Sequence, residues 1–212
     1  RIMKETLAPF GPEYARELSN LLDPKNGRLD IVGGENRVPG AFAWGQPGSQ
    51  TSIFYSYNFE GYYQDVDTMI HESGHAVHYQ LMENNKVLPA FTSGAPYFTE
   101  SFAMFNEILL GDYMVKKETD PVKRAYYLEK MLDSMMAVYP VARQAAIEQG
   151  MYDGVAAGKL KTADDFDNMT QSIGEKYSIW YKKNPDAKLE WTIVHHFFTQ
   201  PMYYVNYVFA QM

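Results

Sequence analysis

The sequence contains no cysteine, and histidine is scarce. Without thiols, a disulfide framework, a thiolate-ligated metal and a cysteine nucleophile are all excluded. Any metal site must therefore be built from His, Asp or Glu side chains. The five histidines fall in two short clusters, one at His71, His75 and His78 and the other at His195 and His196. These two clusters are therefore the candidate sites for metal binding and catalysis.

Positive charge is in the minority, with 19 Lys and Arg against 26 Asp and Glu and a net charge of −7 over 212 residues. No run of Lys or Arg provides the concentrated positive surface that nucleic acids and anionic membranes require, which argues against both as main partners. No window approaches about 18 consecutive apolar residues, and the N-terminal segment lacks the three-part pattern of a secretory signal. We therefore expect no membrane span and a cytoplasmic location. The oligomeric state is not predicted.

The spacing of apolar residues predicts mostly helices around one short stretch of strands. Glycine and proline concentrate between residues 26 and 61, where three β-type runs predict a small antiparallel sheet at 29–32, 41–44 and 53–59. Helices are predicted at 13–22, 64–84, 98–116, 121–149, from an N-cap at Thr162 to about residue 183, and from near Pro201. This pattern predicts the α+β fold class, predominantly α-helical.

A five-residue motif in the first histidine cluster has the spacing of a metal site. His71-Glu72-Ser73-Gly74-His75 has the form HExxH inside a sequence of helical character. With about 3.6 residues per turn, His71 and His75 point the same way one turn apart, so two imidazole nitrogens can converge on one ion. Glu72 is offset to one side, where its carboxylate can take a proton from the metal-bound water.

A catalytic zinc site needs a third protein ligand. The longer motif HExxHxxGxxH is excluded, because Leu81 occupies its last histidine position and Val77 its glycine position. Glutamates offer the other common solution, and Glu83 lies too far along the same helix to reach back. Glu100 opens a new helical run after a turn rich in Pro and Gly, so we assign it as the third ligand. Glu107 lies on the same helix face and is a candidate to hold a histidine N–H.

Two neighbours of the motif are left outside the site. His78 extends the same helix face, where it could support a ligand or contact the substrate, and packing at the helix end is the other interpretation. Asp67 lies one turn before His71 and could orient an imidazole, although a solvated residue near the helix start is the favoured interpretation.

The second cluster lies in TIVHHFFTQPMYYVNYVF, which combines two histidines with several tyrosines. Aromatic packing in a core is one interpretation. The other is that hydroxyl and imidazole donors stabilise the oxyanion formed when a metal site hydrolyses an amide. Tyr203 and Tyr207 would present two hydroxyls on one helix face.

Four blocks in the same order resemble the thimet oligopeptidase-like metallopeptidases, most closely their oligoendopeptidase F branch. The blocks are VPGAFAWG at 38–45, YNFEGYYQDVDTMIHESGHAVH at 57–78, the FTESF run around Glu100, and HFFTQPMYYVNYV at 196–208. The resemblance extends from about Leu21 to the end. At the position of Ala43 the family usually has a cysteine.

The resemblance implies a zincin-like catalytic core in which a small antiparallel sheet precedes the HExxH helix. It implies one zinc ion held by His71, His75 and Glu100, and Glu72 as the general base. It further implies that His196, not His195, contacts the substrate carbonyl together with Tyr207 and Tyr203. An extended peptide would pair with a strand near 41–44 or 53–57.

Family members are much longer, with an N-terminal helical lobe that restricts them to short peptides. Because the sequence starts at Arg1 and stops at Met212 within a helical stretch, we expect residues 1–212 to be a single metallopeptidase catalytic domain from a longer chain. The leading hypothesis is a zinc-dependent endopeptidase that cleaves short peptides. A related metallocarboxypeptidase or dipeptidyl carboxypeptidase, and a zinc-folded fragment that binds peptides without turnover, remain as alternatives.

Overall fold

The computed structural model describes residues 1–37, 40–45, 48–56, 59–92 and 94–212. The motif residues Val38, Pro39, Tyr57 and Asn58 lie outside this described part. Two compact units make up the chain, Arg1–Leu132 and Asp133–Met212. The expectation of a single catalytic domain over 1–212 stays a prediction. In the described part of the chain, every helix is too short or too polar to span a bilayer.

The first unit combines helices with a small sheet, as the sequence predicts. In chain order its elements are α1 (Ile2–Thr6), α2 (Pro12–Leu21), β1 (Leu29–Asp30), β2 (Ala41–Trp44), β3 (Ser52–Tyr55), α3 (Tyr63–Asn84) and α4 (Pro96–Lys117). The next helix is α5 (Pro121–Met136). The strand predicted at 41–44 is confirmed at both ends, and the other two strands are shorter than predicted.

The sheet is mixed, so the prediction of an antiparallel sheet is wrong for one of its two pairings. Its strand order is β1-β3-β2. β2 and β3 form an antiparallel pair with Ala43 opposite Ile53, whereas β1 lies parallel to β3 with Leu29 opposite Ile53. β3 lies between β1 and β2. The chain reverses direction between β2 and β3, so β3 runs in the direction of β1 and opposite to β2.

The core of the first unit lies between the sheet and helices α2, α3 and α4. Its fully buried side chains share an aliphatic character, and the largest are Leu7, Leu18, Leu21, Ile53, Ile70, Val77 and Leu110. Because α3 carries its apolar residues on the face toward this core, the rest of its circumference is available for polar side chains.

The second unit is helical in the part that the structure describes. Its helices are α6 (Val138–Ala156), α7 (Ala163–Tyr177), α8 (Trp180–Lys183), α9 (Glu190–Ile193), α10 (His196–Thr199) and α11 (Val205–Gln211). A core of Ile147, Met151, Val194 and Phe197 holds them together. The predicted N-cap at Thr162 is confirmed, since its side chain accepts from the Asp165 N–H.

The largest differences from the predicted helices are three. The helix predicted over 121–149 is two helices, because the ring of Pro140 crowds the Met136 carbonyl and cannot donate to it. The helix that begins after Thr162 ends at Tyr177 instead of near residue 183, where the chain bends back to lay the ring of Tyr181 against Gly174. The last helix begins at Val205, since residues near Pro201 form a turn in which Met202 has φ 61°.

Candidate active site

Three potential metal ligands from two helices converge in the first unit. The Nε2 atoms of His71 and His75, both on α3, are 3.2 Å apart. Glu100 on α4 places Oε2 at 3.5 Å from His71 Nε2 and 3.6 Å from His75 Nε2. The Glu100 side chain is buried, and the two imidazoles are partly buried.

The spacing of these three donor atoms fits a tetrahedral ion. Bonds of about 2.0–2.2 Å to nitrogen and oxygen imply about 3.3–3.6 Å between neighbouring ligand atoms of a tetrahedron. The two separations that involve Glu100, 3.5 and 3.6 Å, lie in that range, and the 3.2 Å between the two histidine nitrogens lies just below it. Two neutral imidazole nitrogens at such a distance repel each other unless a proton or a cation lies between them. The donor set therefore suits a divalent metal.

The electrostatics of the site also favour a positive charge. Burial lowers the pKa of His71, but its hydrogen bonds with Glu100 and Glu107 outweigh burial and leave that pKa well above the usual value. For Glu100, burial raises the pKa, and the two histidines outweigh it and leave the pKa far below the usual value. Both shifts show that the surroundings of these side chains stabilise positive charge, as a cation site requires.

A close approach of α3 to α4 brings the ligands together. A Cβ atom on Gly74 would lie 2.8 Å from the Ala103 Cα and 2.9 Å from the Asn106 Nδ2. Asn106 is buried, and its side-chain N–H donates a hydrogen bond to the Ile70 carbonyl, with 3.2 Å between Nδ2 and the oxygen. Because Ala103 lies between Glu100 and Glu107 along α4, this contact sets the position of both carboxylates against the histidines.

Two further carboxylates surround His71. Glu107 forms a short hydrogen bond with His71 Nδ1, which is the contact for which the sequence made it a candidate. This bond directs the opposite nitrogen, Nε2, toward His75 and Glu100. Asp67 differs from its interpretation as a solvated residue: it is half-buried, and burial together with the charge of Glu107 raises its pKa to about 7.

Glu72 is buried beside the ligand set, with 7% of its surface exposed. Burial raises its pKa, while the charges of His71 and His75 and a hydrogen bond from the Ala43 main chain oppose the rise. The net effect is a raised pKa. A carboxylate in this environment holds a proton more readily than one in water, which suits a group that must both accept and return one.

Strand β2 presents its open edge toward Glu72. Within the described residues β2 pairs with β3 alone, whereas β3 is covered on both edges. Ser56 donates its N–H to the Gly40 carbonyl across the β2–β3 pair. Since hydrogen-bonded positions alternate along an antiparallel pair, Ala41 and Ala43 direct their main-chain groups to the open edge. Of the two strands considered for peptide pairing, the one at 41–44 has an edge without a neighbouring strand among the described residues, and Tyr57 at the end of the other lies outside them.

Two other residues considered at the sequence level have structural contacts. The carboxylate of Glu83 accepts the Gly48 N–H at 3.0 Å. The ring of His78 stacks on Phe102 with 4.6 Å between centroids, and burial lowers its pKa. These contacts agree with leaving both residues outside the ligand set.

In the second unit, His196 lies in a cluster with both predicted tyrosines. The Tyr207 hydroxyl is 3.3 Å from His196 Nε2, and the Tyr203 ring centroid is 5.7 Å from that of His196. The two tyrosine rings are 5.5 Å apart. His195 is exposed, and its Nδ1 lies 3.2 Å from Thr199 Oγ1 within its own helix. The cluster therefore contains His196 and not His195.

Sequence reasoning missed Gly74, and for Asp67 it favoured a solvated position over one beside the imidazole. A glycine inside a long helix costs about 1 kcal/mol relative to alanine, so Gly74 carries a signal of close helix contact that could have been used. The position of Asp67 one turn before His71 indicated a contact with the imidazole, but its burial depends on which residues of α4 lie opposite and has no signal in the sequence.

Comparisons with known proteins agree along nearly the whole chain. The model of Peptidase family M3 matches residues 7–212. The chromosomal oligoendopeptidase F of Lactococcus lactis subsp. cremoris is 29% identical over 209 residues, which are 97% of this chain and 33% of that protein. The oligopeptidase PepF of Bacillus subtilis is 27% identical over 209 residues, 98% of this chain and 30% of that protein.

A solved structure has the same fold. The structure of PZ peptidase A with inhibitor 2 matches with a TM-score of 0.78 at 18% identity, over 99% of this chain and 36% of that one. The chain spans about a third of the length of these relatives.

Proposed function

The chain belongs to peptidase family M3, and from that premise we propose that it carries the catalytic residues of a zinc-dependent endopeptidase acting on short peptides. The observation that carries the proposal is the convergence of His71, His75 and Glu100 beside the buried carboxylate of Glu72. The same observation supports a zincin-like core.

His71, His75 and Glu100 would hold the metal ion. When bound, zinc supplies Lewis acidity, which lowers the pKa of a coordinated water to roughly 7 and polarises a peptide carbonyl. The donor set of two nitrogens and one oxygen also suits Co²⁺, Mn²⁺ or Ni²⁺. Glu107 would keep His71 oriented by accepting its Nδ1–H.

Glu72 is assigned as the general base and acid. Its carboxylate takes one proton from the attacking water, and the same oxygen returns that proton to the nitrogen of the departing amine. Glu72 therefore ends each turnover in the ionised state in which it began. The raised pKa supports this role, because a carboxyl group whose pKa lies closer to neutrality exchanges a proton in both directions more readily.

His196, Tyr207 and Tyr203 are assigned as donors to the oxyanion of the tetrahedral intermediate. Their support is the cluster that they form and their match to the family's histidine and tyrosines. Preorganised donors of this kind contribute about 3–4 kcal/mol each where they have been removed from other hydrolases.

Short peptides are proposed as substrates because the relatives are named as oligopeptidases. The open edge of β2 supports main-chain pairing with an extended peptide near Glu72. The exclusion of nucleic acid and membranes as partners, and the location in the cell, stay predictions from composition.

The test is Glu72→Gln, which keeps the side-chain shape and removes the base. We expect the variant to retain one equivalent of zinc and to lose cleavage of a quenched fluorescent peptide. Glu83→Gln is the matched control, because it makes the same charge change on the same helix and should leave cleavage unchanged. A peptide with an amidated C-terminus should still be cut by an endopeptidase. Cleavage by the Glu72→Gln variant at the wild-type rate would contradict the mechanism.

A further inference from the structure

Glu148 on α6 is a buried carboxylate that the proposed mechanism does not use. Only 1% of its surface is exposed. Its Oε1 accepts the Met202 N–H at 2.7 Å, and its Oε2 accepts the Tyr204 N–H at 3.2 Å. Both carboxylate oxygens thus accept hydrogen bonds from main-chain N–H groups on either side of Tyr203.

The turn held by Glu148 has an unusual backbone. Met202 has φ 61°, a left-handed conformation that residues with a side chain rarely adopt. Inside the turn, the Tyr203 N–H donates to the Gln200 carbonyl at 3.1 Å. A turn of this kind requires contacts from outside itself to hold one conformation.

A second side chain of α6 contacts the same segment. Tyr152, one helical turn after Glu148, donates its hydroxyl to the Phe197 carbonyl at 2.8 Å. Helix α6 therefore holds the segment next to His196 and again at the turn before Tyr207. The residues assigned as oxyanion donors flank these contacts: His196 immediately precedes the first, Tyr203 lies within the second, and Tyr207 follows three residues after it.

We propose that Glu148 is a positioning residue for the His196, Tyr203 and Tyr207 donor cluster. Its two oxygens fix the turn at 200–204 and so set the direction in which α11 starts and presents the Tyr207 hydroxyl. This inference rests on the proposed function, because the cluster matters for catalysis only if it contacts the substrate. Donor placement is exacting: a displacement of about 1 Å can cost roughly a hundredfold in rate.

Glu148→Gln is the test, carried out on the whole zinc-loaded protein. The amide keeps the shape but presents an NH₂ group to one of the two main-chain N–H donors. Asp153→Asn is the control, since it neutralises an exposed carboxylate on the same helix. We expect the Met202 and Tyr204 amides to exchange hydrogen roughly tenfold faster in the variant, as fits the loss of a hydrogen bond to a charged group. The ¹⁵N shift of the His196 ring should change as well.

In the kinetic measurement, kcat for the quenched peptide should fall roughly a hundredfold while KM stays within about twofold, because the donors act on the transition state. A variant with faster amide exchange but unchanged kcat and unchanged His196 shift would show a merely structural role and overturn the proposal. Unchanged amide exchange would overturn it too.

A misfolded variant and an inactive wild-type protein would each need a separate measurement. If Glu148→Gln does not fold, Glu148→Asp retains the charge with a shorter reach and is measured by the same criteria. If the wild-type protein cleaves no peptide, the proposed function fails, while the amide exchange and the His196 ring shift still decide whether Glu148 holds the cluster.

Discussion

Replacing Gly74 with alanine should weaken the metal site without touching a ligand. The added methyl group would lie 2.8 Å from the Ala103 Cα and 3.2 Å from the Ala103 nitrogen. Both are main-chain atoms of α4 and cannot rotate away. Carbon atoms in contact normally lie about 3.5–4.0 Å apart, so α4 must move from α3 by about 1 Å.

The size of the effect depends on two opposed terms. Overpacking in a close contact typically costs about 1–3 kcal/mol, while alanine gains about 1 kcal/mol over glycine inside a helix. The free energy of unfolding should therefore fall by only about 0–2 kcal/mol. Metal ligation is less tolerant, since ligand distances must hold within about 0.2 Å. A shift of α4 displaces Glu100 from the two histidines by several times that tolerance, so we expect zinc affinity to fall at least tenfold.

Zinc affinity is measured by competition with a chromophoric chelator, and stability by urea unfolding of the metal-free protein. Gly111→Ala is the matched control on α4, because its methyl group would meet the flexible side chain of Met131 at 2.6 Å instead of main chain. We expect this control to bind zinc like the wild type. Wild-type zinc affinity in the Gly74→Ala variant would refute the argument that the close contact sets the ligand spacing.

Two further predictions follow from contacts of buried carboxylates. Glu107→Gln should lower zinc affinity by about 10–100-fold, because the amide no longer accepts a strong hydrogen bond from His71 Nδ1; unchanged affinity in the chelator competition would exclude this role. Burial raises the pKa of Glu190, but hydrogen bonds from Arg143 and Tyr181 outweigh it and hold the pKa below its usual value. Stability from this depressed pKa is complete above the unfolded value and is lost as the pH falls through the folded one. Urea unfolding as a function of pH should therefore show a steeper acid-side loss in the wild type than in Glu190→Gln, and equal slopes would count against the assignment.

Features that depend on neighbours along the chain could be predicted from the sequence. The spacing of His71 and His75 follows from one turn of helix, and the N-cap at Thr162 follows from its own first turn. The approach of Glu100 to the two histidines could be predicted because a turn rich in Pro and Gly precedes it. These inferences need only local geometry and one reversal of chain direction.

Features that depend on contacts between distant segments could not be predicted from the sequence. The parallel pairing of β1 with β3 depends on which strand lies in the middle, and period-two patterns do not encode that order. The burial of Asp67 and of Glu148 depends on the helix or turn that lies opposite each of them. The break between α5 and α6 is different, because the presence of Pro140 is enough to predict it. The helical spacing of apolar residues continues across 121–149 and favours one uninterrupted helix instead.

The most direct test of the account is cleavage by the protein before and after removal of its metal. Dialysis against a chelator should abolish cleavage of the quenched peptide, and one equivalent of zinc should restore it. The same addition of zinc should fail to restore cleavage by the Glu100→Gln variant, because a neutral amide replaces the carboxylate that is the third ligand. Undiminished cleavage by the metal-free protein, or full restoration of the Glu100→Gln variant by one equivalent of zinc, would contradict a zinc peptidase built on His71, His75 and Glu100.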